Sequence, residues 1–142
     1  MSKLIEKHSV GEELATQAID VATTKARELG VAVAIAVVDE SGVLKAFRRM
    51  DGAPLGTVEL GPAKARMAAS FGAPSSVFHG LAKDDGAIAV SLAGITGVTV
   101  LGGGEPIVVG GALAGAIGVS GGTEEQDIEI AQAAVEALTA GG

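Results

Sequence analysis

Residues 115–122 read Gly-Ala-Ile-Gly-Val-Ser-Gly-Gly and run directly into Thr123, a residue suited to capping a helix. An apolar strand that passes through a glycine-rich turn into a helix N-terminus fits few architectures. It fixes a strand, a tight turn and a helix in that order. Three readings of the turn follow. In the first, backbone N–H groups near Gly121, Gly122 and Thr123 meet at the positive end of a helix dipole and cradle a carboxylate. In the second, Gly118, Ser120 and Gly122 form a Gly-x-Ser-x-Gly elbow with Ser120 as nucleophile. In the third, the turn is structural. The elbow needs a histidine base, normally after the serine, and the only histidines, His8 and His79, both precede it. The cradle and the structural turn remain open.

The flanking segments extend this pattern. Ser9 and Glu12 have the spacing of a capping box, and Leu14, Ala18, Ala22, Ala26 and Leu29 recur at helical spacing up to Gly30. Residues 31–38 form a strand with valine and isoleucine on one face and mainly alanine on the other. Both faces are apolar, so both need a cover. A chain with few helices invites a second copy as one of those covers. Asp39-Glu40-Ser41-Gly42 makes a hairpin turn into a strand over 43–50, which ends at Asp51-Gly52-Ala53-Pro54. A helix follows to Phe71, with Thr57 and Gly61-Pro62 competing as its start. Ser75 then caps a short helix to Leu81, and a polar spacer, 83–86, precedes strands at 97–101, 105–109 and 112–119. Thr123 and Gln126 give a second capping box, and Ile128, Ala131, Val135 and Leu138 supply an apolar stripe. The expectation is one α+β domain over residues 1–142, ordered α-β-β-α-α-β-β-β-α around a five-stranded antiparallel sheet.

Composition excludes several classes. A net charge of −7, with no basic stripe and neither Tyr nor Trp, argues against nucleic-acid binding. The absence of cysteine removes disulfides, thiolate nucleophiles and cysteine zinc sites. The N-terminus has no hydrophobic signal core, and the glycine-broken stretch 88–120 reads as buried strands. A soluble, cytoplasmic protein without membrane partners is expected.

Charged residues suggest two further roles. Arg48 and Arg49 point to opposite faces of their strand, so one must meet an acidic partner or an anion. Asp39 and Asp51, near the ends of the same hairpin, are candidate partners. In the structural reading they clamp the hairpin. In the functional reading Arg49 holds a substrate carboxylate with help from Lys64, and Glu59 or Asp51 moves a proton. Glu124, Glu125, Asp127 and Glu129 crowd the start of the last helix, where they complement its dipole and face water. No metal site is read from these carboxylates.

The ordered motifs Val37-Val38-Asp39-Glu40-Ser41-Gly42, Arg49-Met50-Asp51-Gly52-Ala53, Lys64-Ala65, Gly103-Gly104-Glu105-Pro106-Ile107, residues 115–122 and Gln126-Asp127 together resemble one family. It is the GlcG/HbpS-type haem-degrading domain family, which includes the C-terminal domain of PduO-type adenosyltransferases. The resemblance implies a PAS- or profilin-like α+β domain that builds dimers into octamers and binds haem or a corrinoid. It implies an axial ligand near the first helix, which favours His8 over His79. Propionates, or another small acidic ligand, would meet Arg49, Lys64, Ser120, Gly121, Gly122 and Thr123. Three functions follow from it. The first is a haem- or tetrapyrrole-binding homo-oligomer. The second is a catabolic isomerase, lyase or hydrolase acting on an organic acid at a subunit interface. The third is an assembly partner of a neighbouring enzyme. Whether the chain is an enzyme stays open.

Overall fold

The computed structural model describes residues 3–139. Its elements are α1 Glu12–Leu29, β1 Ala34–Asp39, β2 Leu44–Arg49, α2 Thr57–Phe71, α3 Ser75–Asp84, α4 Gly86–Ala93, β3 Gly104–Val109, β4 Ala112–Ser120 and α5 Glu124–Thr139. The strands form one antiparallel sheet in the order β2-β1-β4-β3. The α+β class stands, with four strands in the described sheet rather than five. No helix among the described residues is long and apolar enough to cross a membrane.

β1 lies at the centre, and Ala34 to Val38 are fully buried. Val33, Ile35 and Val37 share one face with Ile117 and Val119, covered by the alanine stripe of α1 and by Ile130, Ala131 and Ala134 of α5. Ala36, Val38 and Ala116 face the other way, against Ala65, Ala68 and Ala69 of α2. The alanine face is therefore covered by the chain's own helix and needs no second copy. Alanine against alanine lets helix and sheet approach closely, and that closeness governs the glycine run.

Three of the four glycines of residues 115–122 have a steric reason in a neighbouring backbone. A methyl group on Gly118 would sit 2.1 Å from the Gly61 carbonyl oxygen and 2.5 Å from the Ala65 nitrogen of α2. One on Gly115 would sit 2.2 Å from the Val38 oxygen, and one on Gly121 2.5 Å from the Ala32 oxygen. Gly121 also has φ of 141°, a conformation that side chains rarely adopt.

Several local expectations change. Residues 97–101 pair with no strand; the unforeseen element is α4, whose first N–H groups, of Ala87 and Ile88, donate to the Asp85 side chain. Asp85 belonged to the presumed spacer, and its capping carboxylate starts a helix there. Ser9 does not cap α1: Gly11 is the cap residue, and the Ser9 hydroxyl donates to Glu40 in the β1–β2 turn. The neighbouring Val10 N–H donates to the Ala114 oxygen at 2.8 Å, which holds this arm against β4. Ser75 begins α3 without capping it, because its hydroxyl donates to the Leu101 oxygen at 2.7 Å and accepts the Gly104 N–H at 2.9 Å. α2 starts at Thr57, so Pro62 lies inside it.

Candidate functional site

The junction of α2, the loop before β3, the end of β4 and the start of α5 encloses a cleft of about 210 Å³. Leu60, Lys64, Leu101, Gly102, Ser120, Gly122, Glu124 and Asp127 line it. Lys64 is 3% exposed, and a lysine so buried needs a partner. Its Nζ donates to Asp127 Oδ2 at 3.0 Å and to the Val119 oxygen at 2.9 Å. Asp127 Oδ1 accepts the Gly122 N–H at 2.9 Å. One buried ion pair thus ties α2, β4 and α5 together. Asp127 belongs to the acidic cluster expected to face water, and it is instead 2% exposed.

The capping box of α5 is present: Gln126 accepts the Thr123 N–H at 2.9 Å, and Thr123 accepts the Gln126 N–H at 3.2 Å. With Gly122 donating to Asp127, two of the N–H groups read as an anion cradle are already bonded to the chain's own side chains. An anion there would have to displace both. Ser120 closes β4 opposite Ala34, nearly buried, and its cleft contains no histidine.

Glu124 stands at the cleft rim. It accepts the Gly102 N–H at 3.1 Å and contacts His79 Nδ1 at 3.1 Å. The His79 contact, chiefly, holds the Glu124 carboxyl below the usual carboxylate range. An ionised Glu124 accepts only from a protonated Nδ1, and in the neutral imidazole that tautomer leaves the lone pair on Nε2. His79 lies on α3; Val77 and Leu81, two positions to either side, are exposed on the far side of the same helix, and Phe71, Val90 of α4 and Ile95 are exposed elsewhere. Phe71 and Phe78 pack with ring centroids 4.8 Å apart. α4 buries no residue in this chain, and Val90 is 75% exposed.

The other expected residues lie elsewhere. Arg49 and Asp51 line a separate pocket with Arg27, Arg48 and Met50. Arg48 faces α1, where Asp20 and Thr23 accept from it at 3.0 Å each; neither Asp39 nor Asp51 is its partner. Asp39 instead accepts the Ser41 and Val43 N–H groups within its own turn. Glu59 is exposed in the first turn of α2 and lines neither the cleft nor the arginine pocket. His8 lies on the exposed arm beside Ser9, whose partner Glu40 marks the end of the sheet opposite Ser120. Sequence reasoning did not find Glu124 as a partner for His79. The two are 45 positions apart, and no local spacing joins them.

Burial raises the pKa of one more acid, Glu105 on β3, although a Gln132 hydrogen bond opposes the shift. A raised carboxyl opposes folding above its unfolded pKa, and that cost fades as the pH falls to that value. Glu105→Gln is therefore expected to stabilise the protein at pH 7, with the gain vanishing at about pH 4. Denaturant melts at both pH values check this; an equal gain at both would contradict it.

Known proteins extend this description. A family model described as haem degrading protein, HbpS-like, matches residues 10–136. The corrinoid adenosyltransferase PduO of Salmonella typhimurium is 33% identical over 121 residues, covering 84% of this chain and 36% of PduO. The chain thus spans about a third of that relative. Klebsiella pneumoniae protein ORFY superimposes with a TM-score of 0.91 at 29% identity, covering 97% of this chain and 96% of the other. A PduOC:haem complex superimposes with a TM-score of 0.85 at 31% identity, covering 91% and 94%.

Proposed function

The chain belongs to the HbpS-like family of haem-degrading proteins, and from that membership we propose that it binds haem on the outer face of α3 and α4, with His79 as axial ligand. The observation that carries this reading is the His79–Glu124 pair. Histidines that ligate metals commonly donate their second ring N–H to a carboxylate, which fixes the tautomer and raises the basicity of the ligating nitrogen. Here Nδ1 takes that role and leaves Nε2 for an iron.

The surroundings suit a flat apolar macrocycle. Phe71 and Val90 are exposed and available as apolar contacts at the end of α2 and on α4. Lys83, one turn beyond His79 on α3, is exposed and available to a propionate. A second copy of the chain closing over α4 would complete the enclosure, as the family resemblance implies for a homo-oligomer. The PduOC:haem complex supports the same ligand class in a relative of similar shape. A second reading places the ligand on His8, because Ile5 on the same arm is 83% exposed and could cover one haem face. The imidazole would also accept the cobalt of a corrinoid.

Titration of the purified protein with haemin is expected to give a saturable Soret band. His79→Ala should abolish it, His8→Ala should leave it, and Glu124→Gln should weaken affinity roughly 10- to 100-fold. Loss in His8→Ala with retention in His79→Ala would transfer the role to the arm. Saturation with hydroxocobalamin but not haemin would assign a corrinoid.

A further inference from the structure

At the outer end of edge strand β2, Arg27, Arg48, Arg49, Met50 and Asp51 line a pocket of about 350 Å³. We propose that it binds a small oxyanion, a phosphate monoester or a carboxylate. Its charge is the first argument. The chain carries a net charge of −7 and only ten Lys and Arg residues, yet three arginines line this pocket, Arg48 paired with Asp20 and only Asp51 set against Arg27 and Arg49. Arg27 and Arg49 form no ion pair among the described residues. With Arg48 paired to Asp20, Arg27 and Arg49 outnumber Asp51 by one positive charge, which suits an anion. The C-terminal end of α1 lies beside the pocket, but it contributes only about half a negative charge.

The second argument is preorganisation. Arg48 is held before any ligand arrives. The Thr23 hydroxyl donates to the Ile19 oxygen at 2.6 Å, so towards Arg48 it acts as acceptor. Asp20 accepts from the same Nη1 at 3.0 Å. Both contacts use Nη1, which leaves Nε and Nη2 for the two-pronged grip that guanidinium offers carboxylate or phosphate oxygens. Arg27 at the end of α1 and Arg49 at the end of β2 add donors from two other directions. Asp51, the one carboxylate in the wall, can accept a ligand hydroxyl. The volume suits a molecule of a few carbons rather than a macrocycle.

The site differs from the haem face in every residue, so the two proposals fail separately. The test is calorimetric titration of haem-free protein with inorganic phosphate, and separately with succinate, at constant ionic strength set by sodium chloride. Saturable one-to-one binding of at least one probe is expected. Arg27→Gln and Arg49→Gln, both at exposed positions, should keep the wild-type far-UV spectrum and bind roughly tenfold more weakly or worse. Arg66→Gln and His79→Ala should bind as wild type. Tighter binding of phosphate assigns a phosphate ester; tighter binding of succinate assigns a carboxylate. Absence of saturation with both probes, or wild-type affinity in Arg27→Gln and Arg49→Gln, would overturn the proposal.

Discussion

Gly118→Ala is expected to destabilise the protein by about 3 kcal/mol, the upper end of the usual overpacking cost. The added methyl would lie 2.1 Å from the Gly61 oxygen and 2.5 Å from the Ala65 nitrogen. Both are backbone atoms of α2, so no side chain can swing aside. Relief requires α2 to lift from the sheet, which opens the contacts of Ala65, Ala68 and Ala69 with Ala36, Val38 and Ala116. In a chain of this size the melting temperature should fall by roughly 10 °C. Gly80→Ala is the control: its methyl meets nothing within 4 Å, and alanine is the better helix former. Gly80→Ala should therefore melt at or above wild type. Equal melting of Gly118→Ala and wild type would show that the helix–sheet spacing is looser than described.

Lys64→Met should cost about 3–5 kcal/mol, the loss typical when one member of a buried ion pair is removed. Methionine fills a similar volume, so the cost comes mainly from the charge left on Asp127, which is 2% exposed. The Val119 oxygen loses its Lys64 donor as well. Adding Asp127→Asn removes the stranded charge while keeping an oxygen for the Gly122 N–H. The double variant should recover a substantial part of the loss. Denaturant unfolding of the four proteins measures the coupling. Simple additivity of the two substitutions would contradict a direct pair.

The two variants locate what the glycine-rich run does. Read from residue types, it offered an anion cradle, a nucleophile elbow or a structural turn. In the fold, Gly115, Gly118 and Gly121 each admit a neighbouring backbone that a methyl group would obstruct. Gly122 gives its N–H to Asp127. The run packs a strand between helices, and the polar chemistry lies beside it, on Glu124 and His79.

Features fixed by neighbouring residues were legible in the sequence. The Gly30 stop of α1, the Thr123–Gln126 capping box, the β1–β2 hairpin and the two apolar faces of β1 all follow from spacings of a few residues. Helix α4 was hidden because Asp85 looked like part of a spacer and the glycine-broken stretch from residue 88 read as buried strands. The partners of the charged residues were hidden for a different reason. Lys64 meets Asp127 across 63 positions, and Arg48 meets Asp20 across 28. Such pairs depend on which helix covers which face of the sheet, and the alanine face could equally have belonged to another copy. His79 illustrates the consequence: its helix was foreseen, but the carboxylate bonded to its Nδ1 comes from α5.

The most direct measurement is a crystal structure of the haemin-loaded protein. The account predicts iron bound to His79 Nε2, the Glu124 carboxylate still on Nδ1, and the macrocycle lying on α3 and α4 beneath a second copy of the chain. Iron bound to His8, or a bare α3–α4 face with haem elsewhere, would contradict it.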